Sequence, residues 1–246
     1  MGNLAGKRAL ITGGGRGIGV GIVMRLARDG ADIALTYNAS RAGAEKVAEE
    51  VRAIGRRCVA IRADAAEATS ARRIVDECVA ELGGLDILVN NAAVANVGLL
   101  QELSEDRIQQ MLDINIRAVV LTCRAALDHL PQGGRIIMVG SALADRVFAG
   151  ELAPYAMTKA ALAGFTRGLA REVGPRGINV NIVHPGNTYS DMNPPGNPRE
   201  DSLRALTALN RYNDADDIAA AISYLVSIES RNITGIALTV DGGMNA

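Results

Sequence analysis

Short apolar segments alternate with longer amphipathic segments along almost the whole chain, and this alternation constrains the fold more than any other feature. Strands are predicted over residues 8–12 and 32–37, with a helix over residues 18–29 between them. Strand, helix and strand in this order are typical of a parallel sheet. Strands that are buried on both faces of such a sheet are apolar throughout, as residues 136–139 are. We therefore predict an α/β protein with a doubly wound, Rossmann-type sheet and helices on both faces.

The same rhythm continues through the rest of the sequence without a linker or a shift in composition. Further helices are predicted over residues 42–54, 70–82, 104–130, 154–173 and 215–227, and further strands over 58–62, 85–89, 135–139, 178–183 and 236–240. Ser104 is the predicted N-cap of the long helix 104–130. The seven strands form one parallel sheet, so we predict a single domain over residues 1–246.

Charge and composition argue against several classes of partner. The chain has 26 basic and 27 acidic residues without a run of like charge, and only 3% aromatic residues, so we expect neither nucleic-acid nor membrane binding. Its three cysteines share no C-x-x-C spacing, which predicts neither a disulfide framework nor a metal site. The first ten residues lack a signal-peptide pattern and no run of about 18 apolar residues occurs, so we expect a cytoplasmic protein.

A glycine-rich turn joins the first predicted strand to the first predicted helix, over residues 12–19. Glycine allows a tight turn and a close approach of the backbone to a pyrophosphate, and the helix N-terminus offers free N–H groups. The position between strand and helix favours a phosphate site over an ordinary flexible loop. Within this turn we assign cofactor binding to Gly13, Gly15, Arg16, Gly17, Ile18 and Gly19.

The residues after the second strand favour NADP over NAD. An acid at the end of this strand accepts hydrogen bonds from the adenosine ribose and repels a 2′-phosphate, but here the position holds Tyr37. Asn38 and Arg41 follow it, and Arg16 lies in the glycine-rich turn, so two guanidinium groups are available to pair with a 2′-phosphate. Solvated surface positions for both arginines are the alternative.

Tyr155 and Lys159 are four residues apart on a predicted helix and therefore share a face. An ordinary tyrosine titrates near ~10, and a nearby ammonium group favours the phenolate, so we expect Lys159 to lower the pKa of Tyr155. Ser141 follows a buried strand and is expected at the carboxyl edge of the sheet, where its hydroxyl can bind a carbonyl oxygen. A Tyr-x-x-x-Lys pair by itself is more often a surface feature.

The motifs taken together are specific. The glycine-rich turn, Asn90-Asn91-Ala92 after a strand, Asn115 in a long helix, Ser141 after another strand, and the Tyr155/Lys159 pair occur in this order. Over essentially its whole length the chain resembles the short-chain dehydrogenase/reductase family, and is similar to its 3-oxoacyl-[acyl-carrier-protein] reductases. The resemblance implies an NADP-dependent enzyme that interconverts a ketone and a secondary alcohol.

The resemblance also assigns roles to individual residues. It implies catalysis by Asn115, Ser141, Tyr155 and Lys159, with Ser141 orienting the carbonyl, Tyr155 as acid/base, and Lys159 also binding the nicotinamide ribose. Asn115 would hold a proton-relaying water, although a buried hydrogen-bonding role is the alternative. It implies further cofactor contacts from Asp64, Asn91, Ala92, Pro185, Gly186 and Thr188. The chain departs from the family pattern at Ala93, where glycine is usual.

Substrate and assembly are less constrained by the sequence. Reductases acting on acyl carrier protein place basic residues before the fifth and sixth strands, but here only Arg176 remains, so carrier-bound substrate is weakly supported and a small free ketone ranks at least level. Residues 187–209 are the predicted substrate lid, with Tyr189, Met192 and Leu203 on its inner wall. The family resemblance implies a homotetramer. A nucleotide-binding regulator without turnover is the alternative function.

Overall fold

The apolar runs form seven short strands that all pair in parallel. The computed structural model describes residues 3–246. The strands are β1 (Arg8–Ile11), β2 (Asp32–Tyr37), β3 (Cys58–Arg62), β4 (Ile87–Asn90), β5 (Arg135–Val139), β6 (Asn179–Pro185) and β7 (Ala237–Val240). Their order in the sheet is β3-β2-β1-β4-β5-β6-β7. The predicted doubly wound sheet is therefore confirmed.

Helices cover the sheet on both faces. They are α1 (Ile18–Arg28), α2 (Arg41–Ala53), α3 (Ala68–Leu82), α4 (Glu105–Leu112), α5 (Ala118–Ala126), α6 (Ala153–Val173), α7 (Glu200–Arg204) and α8 (Ala215–Val226). One buried cluster contains Ile22 of α1 and Ile222 of α8, and a second contains Val75 of α3, Cys123 of α5 and Leu162 of α6. Because the two clusters lie on opposite sides of the strands, the central strands β4, β5 and β6 are buried on both faces. No helix within residues 3–246 has both the length and the apolar character needed to cross a membrane.

The predicted long helix over residues 104–130 is interrupted, and this prediction is wrong in its continuity. Ser104 caps α4 as expected, since its Oγ accepts from the N–H of Arg107 at 3.4 Å. A π-helical turn over Asp113–Arg117 then separates α4 from α5. Asn115 lies in this turn, and its side chain binds the backbone of the loop after β4. A π-helical turn holds one residue more than an α-helical turn, and this wider turn places the Asn115 amide against the loop.

The sheet order places the loops after β1 and β4 next to each other. The chain proceeds outward from β1 to β2 and β3 on one side, and from β4 through β5 and β6 to β7 on the other. Ligands of open α/β sheets bind outside the carboxyl ends of the strands at this reversal of order. The functional site is therefore expected in the crevice between these two loops.

Candidate active site

A cavity of about 1460 Å³ opens at the carboxyl edge of the sheet, at the reversal point. The loops after β1, β2 and β3 line one end of it, and the loops after β4, β5 and β6 line the other. The predicted residues that line it are Gly13, Gly15, Arg16, Gly17, Ile18, Gly19, Tyr37, Asn38, Asp64, Asn91, Ala92, Ser141, Tyr155, Lys159, Pro185, Gly186 and Thr188. The strand ends thus bring almost all of the predicted site together, with Asn115 and Arg41 as the exceptions described below.

The glycine-rich turn has the geometry of a phosphate cradle. The N–H of Gly13 donates to Thr36 Oγ1 at 3.0 Å and that of Gly14 to the Thr36 carbonyl at 3.0 Å, which fastens the turn to β2. Gly17 has φ 52° and precedes α1, whose first turn no side chain caps. A Cβ at Gly19 would overlap the carbonyl oxygen of Gly13. The close backbone approach and the uncapped helix N-terminus fit the pyrophosphate of a dinucleotide.

Asn91 holds the glycine-rich turn from the other side. Its Nδ2 donates to the carbonyls of Thr12 at 2.9 Å and Gly13 at 3.0 Å. Thr12 Oγ1 in turn accepts from the N–H groups of Asn91 and Ala92, each at 3.0 Å. The Asn91 amide therefore joins the loops after β1 and β4, so its contribution to a cofactor site is to shape the cradle.

The far end of the cavity holds the residues predicted to select the cofactor. Tyr37, Asn38 and Arg16 line it, while Asp64 accepts from the N–H of Ala66 at 2.9 Å within its own turn. Arg41 is exposed at the start of α2 and does not line the cavity. Of the two predicted guanidinium groups, only that of Arg16 therefore borders the site.

Ser141, Tyr155 and Lys159 meet at the other end. Ser141 follows β5 and is 9% exposed, with its Oγ accepting from the N–H of Leu143 at 3.2 Å. Lys159 is 3% exposed, and its Nζ donates to the carbonyl of Val139 at 3.0 Å and lies 5.7 Å from the centre of the Tyr155 ring. The helical spacing thus places the amine beneath the phenol, as expected.

The pKa of Tyr155 moves in the direction opposite to the expected one. Burial raises it to about 12, and a hydrogen bond with the Ser141 hydroxyl opposes this. Burial also lowers the pKa of Lys159 to about 8, because removal from water disfavours the charged ammonium, which donates to the Val139 carbonyl. Tyr155 is therefore a protonated phenol near neutral pH, which suits it to donate a proton.

Asn115 is buried behind the cavity and does not line it. The side chain is 1% exposed; its Oδ1 accepts from the N–H of Val94 at 2.9 Å, and its Nδ2 donates to the Val94 carbonyl at 2.9 Å and to Thr158 Oγ1 at 3.1 Å. Thr158 Oγ1 then donates to the Tyr155 carbonyl at 2.7 Å. These contacts support the hydrogen-bonding alternative for the Asn115 side chain, and the water relay stays a prediction.

The segment 187–209 borders the cavity and contains α7. Met192 and Leu203 line it as predicted, and Thr188 lies 5% exposed with its Oγ1 donating to the Gly186 carbonyl at 3.0 Å. The prediction for Tyr189 is wrong. Its hydroxyl donates to Glu200 at 2.6 Å and its ring packs edge-on against Tyr212, so it stabilises the inside of the segment.

Sequence reasoning included Thr12 in the glycine-rich turn but gave no site role to Thr36, Thr158 or His184, which also organise the site. These three residues each lie next to a residue that the motifs identified: before Tyr37, between Tyr155 and Lys159, and before Pro185. Their adjacency was the available signal, but their contacts join residues far apart in the chain, as the bond from the Ser141 N–H to His184 Nδ1 does. Within residues 3–246, no group of three His, Cys, Asp or Glu side chains is arranged to hold a metal.

The fold and cavity define a dinucleotide-binding protein with a hydroxyl, a phenol and an amine at the end opposite its phosphate cradle. A family model described as enoyl-(acyl carrier protein) reductase matches residues 13–245. The chain belongs to the short-chain dehydrogenase/reductase family.

Relatives of known structure or name cover nearly the whole chain. A short-chain dehydrogenase from Burkholderia cenocepacia, solved in complex with NADP, is 50% identical with a TM-score of 0.98 and covers 99% of this chain and 100% of its own. The cyclic-di-GMP-binding biofilm dispersal mediator protein of Escherichia coli is 39% identical over 246 residues, 100% of both chains. A hydroxynaphthalene reductase of Aspergillus fumigatus is 37% identical over 94% of this chain and 90% of its own.

Proposed function

We propose that the protein is an NADP(H)-dependent ketone reductase. The observation that carries the proposal is that Ser141, Tyr155 and Lys159 converge in the same cavity as the phosphate cradle. Arg16 borders the cavity near the end of β2, where Tyr37 stands in place of an acid, and this combination favours a 2′-phosphate. The similar Burkholderia protein was solved with NADP, which agrees with this assignment.

The mechanism follows from the protonation states of the side chains. Bound NADPH supplies the hydride for the carbonyl carbon. The Ser141 hydroxyl donates a hydrogen bond to the carbonyl oxygen and orients it, and Tyr155 transfers its phenolic proton to the alkoxide oxygen. The Lys159 ammonium stabilises the phenolate that Tyr155 becomes, at a distance that a buried cation can act across. Because burial raises the pKa of Tyr155 to about 12, the phenol carries near neutral pH the proton that reduction requires.

The lining of the cavity favours a compact, apolar ketone. The loops after β4 and β5 present mainly apolar side chains, among them Val94, Val97, Leu99, Leu143, Phe148 and Leu152, and the lid adds Met192, Leu203 and Leu206 beside polar residues such as Asn187, Asp191 and Ser202. Arg199 is the only cation that the lid contributes among residues 3–246. Such a wall binds a hydrocarbon skeleton through burial of its surface and gives an anionic substrate little electrostatic support.

Carrier-bound substrates are less favoured by the outer surface. Arg176 is the one basic residue retained from the expected docking patch, and its guanidinium donates to the carbonyls of Leu127 at 2.7 Å and Leu130 at 3.2 Å. Asp128 lies on the neighbouring surface and is paired with Arg72 at 2.6 Å, so this surface carries acidic as well as basic side chains. We therefore propose a free ketone ahead of a 3-oxoacyl group on an acidic carrier, which the sequence alone ranked at least level.

Absorbance of reduced nicotinamide tests the proposal directly. NADPH and NADH are compared with simple ketones, a bicyclic aromatic ketone, and a 3-oxoacyl group as a thioester and on its carrier protein. We expect turnover with NADPH and an apolar ketone, and a loss of about 10³-fold or more in Tyr155→Phe with NADPH binding retained. Turnover that persists in Tyr155→Phe contradicts the mechanism, and a clear preference for the carrier-bound substrate contradicts the substrate class.

A nucleotide-binding regulator is the second candidate, favoured by the 39% identity to the Escherichia coli protein whose name describes cyclic-di-GMP binding. A cavity of about 1460 Å³ has room for a nucleotide of that size. Calorimetry with cyclic di-GMP, with and without saturating NADPH, separates the two functions. Tight binding of cyclic di-GMP together with no turnover of any carbonyl supports the regulator.

Self-association into a homotetramer remains part of the proposal. Val120 of α5 and Met157 of α6 are 37% and 53% exposed, which leaves apolar side chains on both helices for a second copy. Light scattering at micromolar concentration is expected to give four times the mass of one chain, and a monomer at all concentrations rules the tetramer out.

A further inference from the structure

His184 lies on β6 against the end of β5 and is completely buried. Val139 pairs with Val183 in the ladder of these two strands, and the N–H of Gly140 donates to the Val183 carbonyl at 2.7 Å. The N–H of Ser141 lies beyond β5 and donates to His184 Nδ1 at 3.0 Å. The imidazole is therefore the hydrogen-bond partner of the backbone that carries the proposed substrate-orienting hydroxyl.

Gly140 provides the space that the imidazole occupies. A Cβ at residue 140 would overlap the Nδ1 and Cε1 atoms of His184. The ring thus packs directly on the backbone of the residue before Ser141, which no other residue type at position 140 permits without movement. Glycine at 140 and histidine at 184 form one interlocking unit.

The hydrogen bond to Ser141 requires a neutral imidazole. Nδ1 accepts, so the single ring proton of the neutral form lies on Nε2, which has no protein partner among residues 3–246. The charged groups near the ring are the Asp145 carboxylate and the Lys159 ammonium. Burial lowers the pKa of His184, Lys159 adds to this effect and Asp145 opposes it, so the neutral form is retained around neutral pH.

We propose that His184 is a positioning residue of the active site, which holds Ser141 in place for the carbonyl through its Nδ1 and its packing on Gly140. The proposal rests on the proposed reductase function for its kinetic consequence, but the hydrogen bond itself is independent of turnover. His184 does not line the cavity, so it would act on a bound carbonyl through Ser141.

Nuclear magnetic resonance tests the hydrogen bond without any substrate. The chain has two histidines, so the imidazole nitrogens of His129 and His184 are distinguished by comparing the wild type with His129→Gln. We expect the Nε2–H tautomer for His184 and a ring pKa below the ordinary ~6.5. The Nδ1–H tautomer, or titration near the ordinary value, overturns the proposal even if the protein reduces no carbonyl.

Kinetics of two matched variants test the positioning role. His184→Asn keeps an acceptor near the position of Nδ1, whereas His184→Leu leaves the buried Ser141 N–H without a partner. We expect kcat to fall about 10- to 100-fold in His184→Leu and less than about threefold in His184→Asn, with the Kd for NADPH within about twofold in both. Three results overturn the proposal: an equal loss of kcat in the two variants, a loss of NADPH affinity in parallel with kcat, or an unchanged kcat in His184→Leu. Absence of turnover in the wild type contradicts the reductase function and leaves the magnetic resonance result to decide on the hydrogen bond.

Discussion

Replacing Asn115 by alanine separates the structural role of this residue from its expected catalytic role. The substitution removes three hydrogen bonds, two to the backbone of Val94 and one to Thr158 Oγ1. The Val94 N–H and carbonyl are left without their partner in a region where the side chain was 1% exposed. The π-helical turn over Asp113–Arg117 then loses its side-chain hydrogen bonds to the loop after β4.

The expected magnitude follows from these contacts. A buried hydrogen bond contributes about 1 kcal/mol net, and a buried group left without a partner adds to the loss, so Asn115→Ala is expected to lower the free energy of unfolding by about 3–4 kcal/mol. This is a large part of the roughly 5–15 kcal/mol that stabilises an ordinary domain. Turnover is expected to fall about 10-fold as well, because Thr158 joins Asn115 to the Tyr155 carbonyl.

Urea unfolding at a fixed protein concentration measures the loss of stability, and initial rates of the folded variant measure turnover. Asn181→Ala is the matched control, since Asn181 is fully buried and its amide binds the backbone at Ile233 and Ile236, away from the cavity. The control is expected to lose about 2 kcal/mol and to keep its kcat. A loss below about 1 kcal/mol in Asn115→Ala would refute the structural reasoning, and an undiminished kcat would remove the link to Tyr155.

Three further predictions concern charge and close packing. Because the pKa of Lys159 is lowered to about 8, the unfolded chain binds a proton that the folded chain does not between pH 8 and the ordinary 10.5, so wild-type stability gains with rising pH. Without cofactor, the free energy of unfolding of Lys159→Met is therefore expected to exceed that of the wild type most below pH 8. This difference is expected to shrink toward pH 10, and a difference that grows over this range contradicts the lowered pKa of Lys159. Gly140→Ala is expected to destabilise the wild type by about 1–3 kcal/mol, because the new Cβ overlaps the His184 ring, but to destabilise His184→Ala by less than half of this. A double-mutant cycle measures the difference, and equal effects of Gly140→Ala in the two backgrounds contradict the direct packing of residue 140 on His184. Arg16→Ala is expected to weaken NADPH binding about 10-fold by calorimetry with NADH little changed, while Arg41→Ala serves as its control and a larger effect there reverses the assignment.

The fold was predictable from the sequence because its signals are local. Each strand is a short apolar run and each helix an amphipathic segment of ordinary length, and a parallel order follows from their alternation. The carboxyl ends of parallel strands share one edge, so motifs that follow strands are brought together. This is why the glycine-rich turn, Ser141 and the Tyr155/Lys159 pair line one cavity.

The errors arise where tertiary contacts override local signals. The continuous helix over residues 104–130 was wrong because the amide of Asn115 binds a loop 21 residues away, which no helical periodicity indicates. The expected lowering of the pKa of Tyr155 considered the neighbouring charge but not burial, which is a property of the packed core. Tyr189 was placed correctly on the lid segment, but the direction of its side chain depends on its partner Glu200, which sequence spacing does not indicate.

The end of β5 explains why so much of the site depends on residues distant in sequence. Over residues 139–142 the backbone is held by four groups in turn: Lys159 Nζ on the carbonyl of residue 139, the Val183 carbonyl on the N–H of 140, His184 on the N–H of 141, and Asn245 Nδ2 on the carbonyl of 142 at 2.8 Å. These groups come from α6, β6 and the C-terminal segment. In the proposed mechanism, the substrate carbonyl is oriented by a hydroxyl that these three elements hold in place, and the ammonium that stabilises the phenolate of Tyr155 is itself one of the four groups. The mechanism therefore predicts that proton transfer and substrate orientation are coupled through the same short stretch of backbone.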